Sequence, residues 1–195
     1  LYNVISKSDI YKKASVGGII TKSVFTITAI GSLLEVKGFD RLIRVAEMLK
    51  KDGISFCIQI IGRGEKEAEL KRLVHELNVE NEVHFLGFQA NPYPYLKESD
   101  IFISTSISEG FSLVICEALV LGIPIVATNT AGALELLEGG EYGVITEQND
   151  LSIYVALKKY ITDETLRTEY HKKSLLRANI FEVQSVMSRF YEVIQ

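Results

Sequence analysis

The chain is poor in cysteine, in clustered positive charge and in long hydrophobic runs. Its two cysteines, Cys57 and Cys116, both fall inside apolar segments. They show neither a disulfide framework nor metal-ligand spacing, and read as reduced core residues. No Lys/Arg cluster occurs, and the formal net charge is −4. This argues against nucleic acid as the main partner, so any anion site must be local. The longest nearly uncharged stretch, residues 110–134, contains Glu117 and is broken by Gly122 and Pro124, so it is not a membrane span. A Walker lysine motif is absent, and Gly62-Arg63-Gly64 lacks the third glycine of a dinucleotide fingerprint, which argues against P-loop and NAD chemistry. The chain begins at Leu1 without signal-peptide architecture, so the expectation is a cytoplasmic domain excised from a longer protein.

What is present is a chain of 195 residues, 47% hydrophobic, enough to bury the core of one globular domain. Residues 1–22 are mixed polar without a clear period, and read as an interdomain linker or an irregular lead-in strand. From there β-branched runs alternate with segments of helical periodicity. Strands are expected near 24–30, 55–61, 82–86, 101–104, 124–128 and 142–145, with helices between them and further helices from Asp150. Continuous apolar strands alternating with helices imply an α/β fold: a Rossmann-like open parallel sheet of about six strands with helices on both faces. The domain proper spans 23–180, and 181–195 reads as a C-terminal helix with Phe181, Val186, Phe190 and Ile194 on one face. Ligands of such sheets bind beyond the carboxyl ends of the strands, where five glycine- or polar-rich loops of this chain converge.

The densest chemistry lies in Ser108-Glu109-Gly110-Phe111-Ser112-Leu113-Val114-Ile115-Cys116-Glu117-Ala118. Glu109 falls in a turn. Glu117 sits inside an apolar run that reads as a buried helix, and a carboxylate there needs a partner to offset its desolvation. Gly110, Phe111, Ser112 and Leu113 open that helix, so first-turn amides can face an anion in the cleft. Lys37, in the Gly31–Gly38 loop with Ser32, would flank a helix N-terminus, and reads equally as a phosphate-binding cation or a solvated surface lysine. His75, His84 and His171 have no catalytic setting, and Tyr93 and Tyr95, beside two prolines, read as loop packing.

With those residues in hand, the chain resembles the C-terminal, donor-binding half of group 1, retaining glycosyltransferases of the GT-B fold. The E-x7-E motif of that family is matched by Glu109 and Glu117. Around it stand Lys37-Gly38-Phe39, Gly62-Arg63-Gly64, Leu86-Gly87-Phe88, Ser99-Asp100, Gly122-Ile123-Pro124 and Gly132 to Glu135, specific by their order rather than singly. The resemblance implies that Glu117 binds ribose hydroxyls of a nucleotide-sugar, with a UDP-sugar as the expected donor. Glu109 would approach the donor sugar, and Lys37 and the Phe111–Leu113 amides would hold the diphosphate. Gly31, Ser32, Gly62 and Arg63 would line the donor site, with the base near Gly87 and Phe88. No metal or other cofactor is implied.

Where the family usually has Gly-Arg, this chain has Gly31-Ser32, so one phosphate-binding cation is missing: either Arg63 or a residue of the absent domain compensates, or donor affinity is lower than is typical. The resemblance further implies a saccharide or lipid-linked saccharide acceptor bound through an N-terminal domain absent from these residues. It also implies a role in bacterial surface polysaccharide synthesis and peripheral attachment at the inner membrane face. The isolated chain is expected to bind donor weakly without turnover. Alternatives are a GT-B epimerase or phosphorylase, and a non-catalytic nucleotide-binding module.

Overall fold

A computed structural model of the chain describes residues 5–16 and 24–181. Six parallel strands form one sheet, in the spatial order β3-β2-β1-β4-β5-β6. In chain order they are β1 (Phe25–Ile30), β2 (Phe56–Ile61), β3 (Val83–Gly87), β4 (Ile101–Ser104), β5 (Ile125–Thr128) and β6 (Val144–Thr146). The helices are α1 (Lys7–Ala14), α2 (Phe39–Lys51), α3 (Glu67–Glu76), α4 (Tyr93–Lys97), α5 (Leu113–Val120), α6 (Ala131–Leu136), α7 (Asp150–Thr162) and α8 (Glu164–Arg177). The first three strands run outward in one direction and the next three in the other. The order therefore reverses between β1 and β4, where a doubly wound sheet opens a crevice at the carboxyl ends of its strands.

Alternation along the strands divides the core in two. Ile27, Ala29, Ile101, Ile103 and Val126 face one layer, closed by α2, α3 and α7. Phe102, Ile125 and Ala127 face the other, closed by α1, α5 and α6. Successive strand side chains point to opposite faces, so strands buried on both sides read as continuous apolar runs.

Two features differ from the sequence expectation. The lead-in is not an irregular strand: Lys7–Ala14 is a helix, capped by Ser6 Oγ, which accepts from the Asp9 amide at 3.3 Å. Its polar composition hid a short apolar face, since only Ile10 and Ala14 are buried. The buried helix also starts later than expected, at Leu113, with Ser112 as N-cap. Gly110 and Phe111 therefore precede the helix rather than open it. The expected C-terminal helix beyond Phe181 lies outside the described residues.

Candidate functional site

At the switch point two cavities adjoin, sharing Ile30, Gly31, Ser32 and Val114 as a common wall. The larger, about 430 Å³, is also lined by Gly62, Arg63, Phe88, Gln89, Pro92 and Glu117. The smaller, about 140 Å³, holds Lys37, Ser104, Thr105, Ser106, Glu109 and Ser112. Both open beyond the ends of β1 and β4, as the topology requires.

Lys37 is placed by a single 3₁₀ turn, Glu35–Lys37, that ends on Gly38 at φ +59°. A Cβ at Gly38 would lie 2.3 Å from the Thr105 carbonyl oxygen, so only glycine permits the loop to pack on the end of β4. Thr105 Oγ1 donates to the Lys37 carbonyl at 2.9 Å and fixes the same junction. The side chain then crosses the cavity, and Lys37 Nζ donates to Glu109 Oε1 at 2.7 Å. Ser106 Oγ donates to Glu109 Oε2 at 3.0 Å, so both carboxylate oxygens are engaged. Side-chain exposures of 22% for Lys37 and 15% for Glu109 exclude the solvated-lysine alternative. Gly62, at φ +151°, brings the end of β2 against Gly31; an added Cβ would sit 1.8 Å from the Gly31 carbonyl oxygen.

Glu117 points from the middle of α5 into the larger cavity, against Ile30, Ile61, Pro92 and Val114. Burial raises its pKa above the ordinary carboxylate range; a hydrogen bond from Tyr93 and the charge of Lys13 act in the opposite sense. Tyr93 Oη donates to Glu117 Oε1 at 2.9 Å. The phenol is itself pushed up to about 12, by burial first and then by that carboxylate. The expectation that Tyr93 serves only to pack its loop is thus corrected. No periodicity could have paired residues 24 apart in sequence.

Of the other expected residues, Arg63 lies with its guanidinium 5.1 Å from the centroid of the Phe88 ring. Phe88 is 63% exposed, an unusual surface position for so large an apolar ring. Gly87 ends β3 at φ +67° and its carbonyl accepts from the Gly62 amide at 2.9 Å. Gly87, Gly110, Phe111 and Leu113 line neither cavity, and Leu113 is 51% exposed. Ser112 Oγ accepts from the Ile115 amide at 3.4 Å, which leaves the amides of Leu113 and Val114 as those at the mouth of α5. Among the described residues, no group of three or more His, Cys, Asp or Glu side chains is placed to hold a metal ion. His75 pairs with Glu80, and His171 Nδ1 lies 2.6 Å from the Gly122 carbonyl oxygen, both remote from the cleft.

Residues 17–176 match the family model described as Glycosyl transferases group 1. The chain belongs to the group 1 glycosyl transferases. A transferase of Campylobacter jejuni, N-acetylgalactosamine-N,N'-diacetylbacillosaminyl-diphospho-undecaprenol 4-alpha-N-acetylgalactosaminyltransferase, is 37% identical over 184 residues. The match covers 93% of this chain and 49% of that protein. An uncharacterized glycosyltransferase of Haemophilus influenzae is 32% identical, with 87% and 48% covered. This group 1 chain therefore spans about half the length of the curated relatives it matches. Relatives at lower identity include a putative colanic acid biosynthesis glycosyltransferase of Salmonella typhimurium, 28% identical, covering 86% of this chain and 44% of that protein.

Among solved structures, Anabaena HepE in complex with UDP superimposes with a TM-score of 0.74 at 26% identity, covering 97% of this chain and 53% of that one. A glycosyltransferase from Rickettsia africae gives a TM-score of 0.80 at 19% identity, over 98% of this chain and 55% of that one, and supports the fold alone. Among the described residues, no helix of this chain is long and apolar enough to cross a membrane.

Proposed function

We propose that this chain is the donor-binding part of a retaining glycosyltransferase that takes a sugar from a nucleotide diphospho-sugar, a UDP-sugar in the first instance, and passes it to a hydroxyl acceptor. The observation that carries the reading is the pair of adjoining cavities, one built around Glu117 and the other around Lys37 and Glu109. A nucleoside fits the larger, with its vicinal hydroxyls on Glu117 and its base toward Phe88. The diphosphate then passes the shared Gly31–Ser32 wall and reaches Lys37 and the mouth of α5. The relation to a UDP complex of HepE, and to transferases named for polysaccharide and diphospho-undecaprenol substrates, supports the donor class and a polyprenyl-linked or other saccharide acceptor. The acceptor would meet the donor through a domain outside these residues, so the 195 residues alone are expected to bind donor without turnover.

Transfer leaves negative charge on the departing diphosphate. Lys37 and the α5 amides, fixed before reaction, would stabilise that charge without a metal; preorganised electrostatics of this kind commonly dominate a barrier. The Lys37–Glu109 pair holds both groups in reserve: phosphate competes for the ammonium, and a sugar hydroxyl can then donate to the released carboxylate. Ser32 adds no charge, and Arg63, in the same cavity, is the cation that replaces the missing one.

Calorimetric titration with UDP, GDP and ADP tests the reading. UDP should bind, and Glu117→Ala and Lys37→Ala should each weaken it by about 1.5–3 kcal/mol, the worth of a charged hydrogen bond, or about ten- to a hundredfold in Kd. A flat titration with every nucleotide would instead favour the non-catalytic module.

A further inference from the structure

Glu117 is the one charged residue of α5, and the wall around it is largely apolar. An unassisted carboxylate there would draw a proton or turn outward to water. What meets it is the phenol of Tyr93, from α4. Two proline-flanked positions, Pro92 and Pro94, restrict the backbone on either side of that tyrosine. Helix α1 then ties together the helices that carry the two groups. Tyr11 Oη donates to the Val120 carbonyl of α5 at 2.7 Å. Asn91 Nδ2, just ahead of α4, donates to the Lys13 carbonyl at 2.9 Å. Lys13 Nζ lies 5.9 Å from the centroid of the Tyr93 ring.

We propose that Tyr93 is a positioning residue for the hydroxyl-binding carboxylate of Glu117, and that α1 acts as the clasp that seats it. The inference rests on the donor-site reading above. The phenol occupies one lone pair of Oε1 and so aims the other oxygen, Oε2, and the remaining lone pair of Oε1 at the cavity. Donation to the charged form opposes the larger effect of burial and so favours the ionised carboxylate that accepts from a diol. The other charged or titratable groups around Glu117 are Lys13 from α1, Arg63 across the cavity and the Cys116 thiol beside it, which burial pushes up to about 12. A phenol committed to one carboxylate oxygen makes selectivity for ribose over 2′-deoxyribose depend on Tyr93, although Tyr93 does not line the cavity.

The test uses Tyr93→Phe and Lys13→Met in the 195-residue chain, with two readouts. The first is the ¹³C NMR titration midpoint of the Glu117 carboxyl in the free protein, which needs no ligand. Tyr93→Phe should raise it, and Lys13→Met should raise it less, by an amount that shrinks with added salt because Lys13 is exposed. The second is the ratio of affinities for UDP and 2′-deoxy-UDP at fixed pH and salt. Wild type should favour UDP, and Tyr93→Phe should cut UDP affinity about tenfold, by analogy with other lost hydrogen bonds to charged groups, while leaving 2′-deoxy-UDP nearly unchanged.

Equal losses for both nucleotides would mean a general structural role and overturn the inference, as would an unmoved midpoint. A moved midpoint with an unchanged ratio would overturn the role toward ribose. If wild type bound no uridine nucleotide, the donor-site reading itself would fall and the positioning role with it. Should Tyr93→Phe not fold, the midpoint of Lys13→Met decides, since that exposed position leaves the core intact.

Discussion

Glu117 is held at the expense of the fold. Burial lifts its pKa above the ordinary range near pH 4, so the folded state retains a proton that the unfolded chain has lost. Stability contributed by this group is complete below the unfolded value and falls as pH rises through the elevated folded one. Glu117→Gln, which keeps the shape and can still accept from Tyr93 Oη, is therefore expected to be more stable than wild type at pH 7. The advantage should vanish below about pH 4. Denaturant unfolding at both pH values checks this, and a Gln variant less stable at neutral pH would show that the Tyr93 bond outweighs desolvation. The same variant should bind UDP poorly. The tension was legible from sequence, because a lone carboxylate in an apolar run has few structural explanations. Its resolution by Tyr93 was not, because that contact depends on how α4 and α5 meet.

At the scale of elements, strand positions and two-sided burial followed from apolar runs alternating with helical segments, whereas the spatial order of the strands came from the structure and the exact helix starts depended on caps. Ser112 was read inside a helix that it in fact precedes, and the brief apolar face of α1 was too short to show a period. The Lys37 loop shows how far local chemistry governs the site. An alanine at Gly38 would adopt a left-handed conformation that costs about 1–2 kcal/mol, and its Cβ would collide with the Thr105 carbonyl. Gly38→Ala should lose at least about 2 kcal/mol, or roughly 4–8 °C in Tm for a domain of this size, and should lose UDP binding as Lys37 is displaced. Asn149→Ala removes a cap whose Oδ1 accepts from the Ser152 amide at 2.9 Å, for about 1 kcal/mol. It touches neither cavity, so its UDP affinity should remain that of wild type. Equal binding losses in the two variants would mean that affinity tracks global stability and not the placement of Lys37.

For the molecule as a whole, the cavities lie where the two halves of the sheet diverge, so a ligand there contacts the loops after β1, β2, β3 and β4 together with α5. Nothing it touches lies in α7 or α8, which close the far side of the core and its edge. Binding to the native state alone stabilises by RT ln(1 + [L]/Kd), about 2.7 kcal/mol at a hundred times Kd. For a domain of this size that corresponds to roughly 5–11 °C in Tm. UDP should therefore raise Tm in a concentration-dependent way, and Lys37→Ala should need correspondingly more ligand for the same rise. Hydrogen exchange locates the effect. Amides of the Gly31–Gly38 loop, the Gly62–Gly64 turn and the start of α5 should slow through local closure, since loops open with small free energies and core elements only near global unfolding. Amides of α7 and α8 should slow only as far as global stability rises. Protection spread evenly over all helices would mean that the nucleotide acts through general stabilisation, and protection confined to α8 would put the binding site elsewhere.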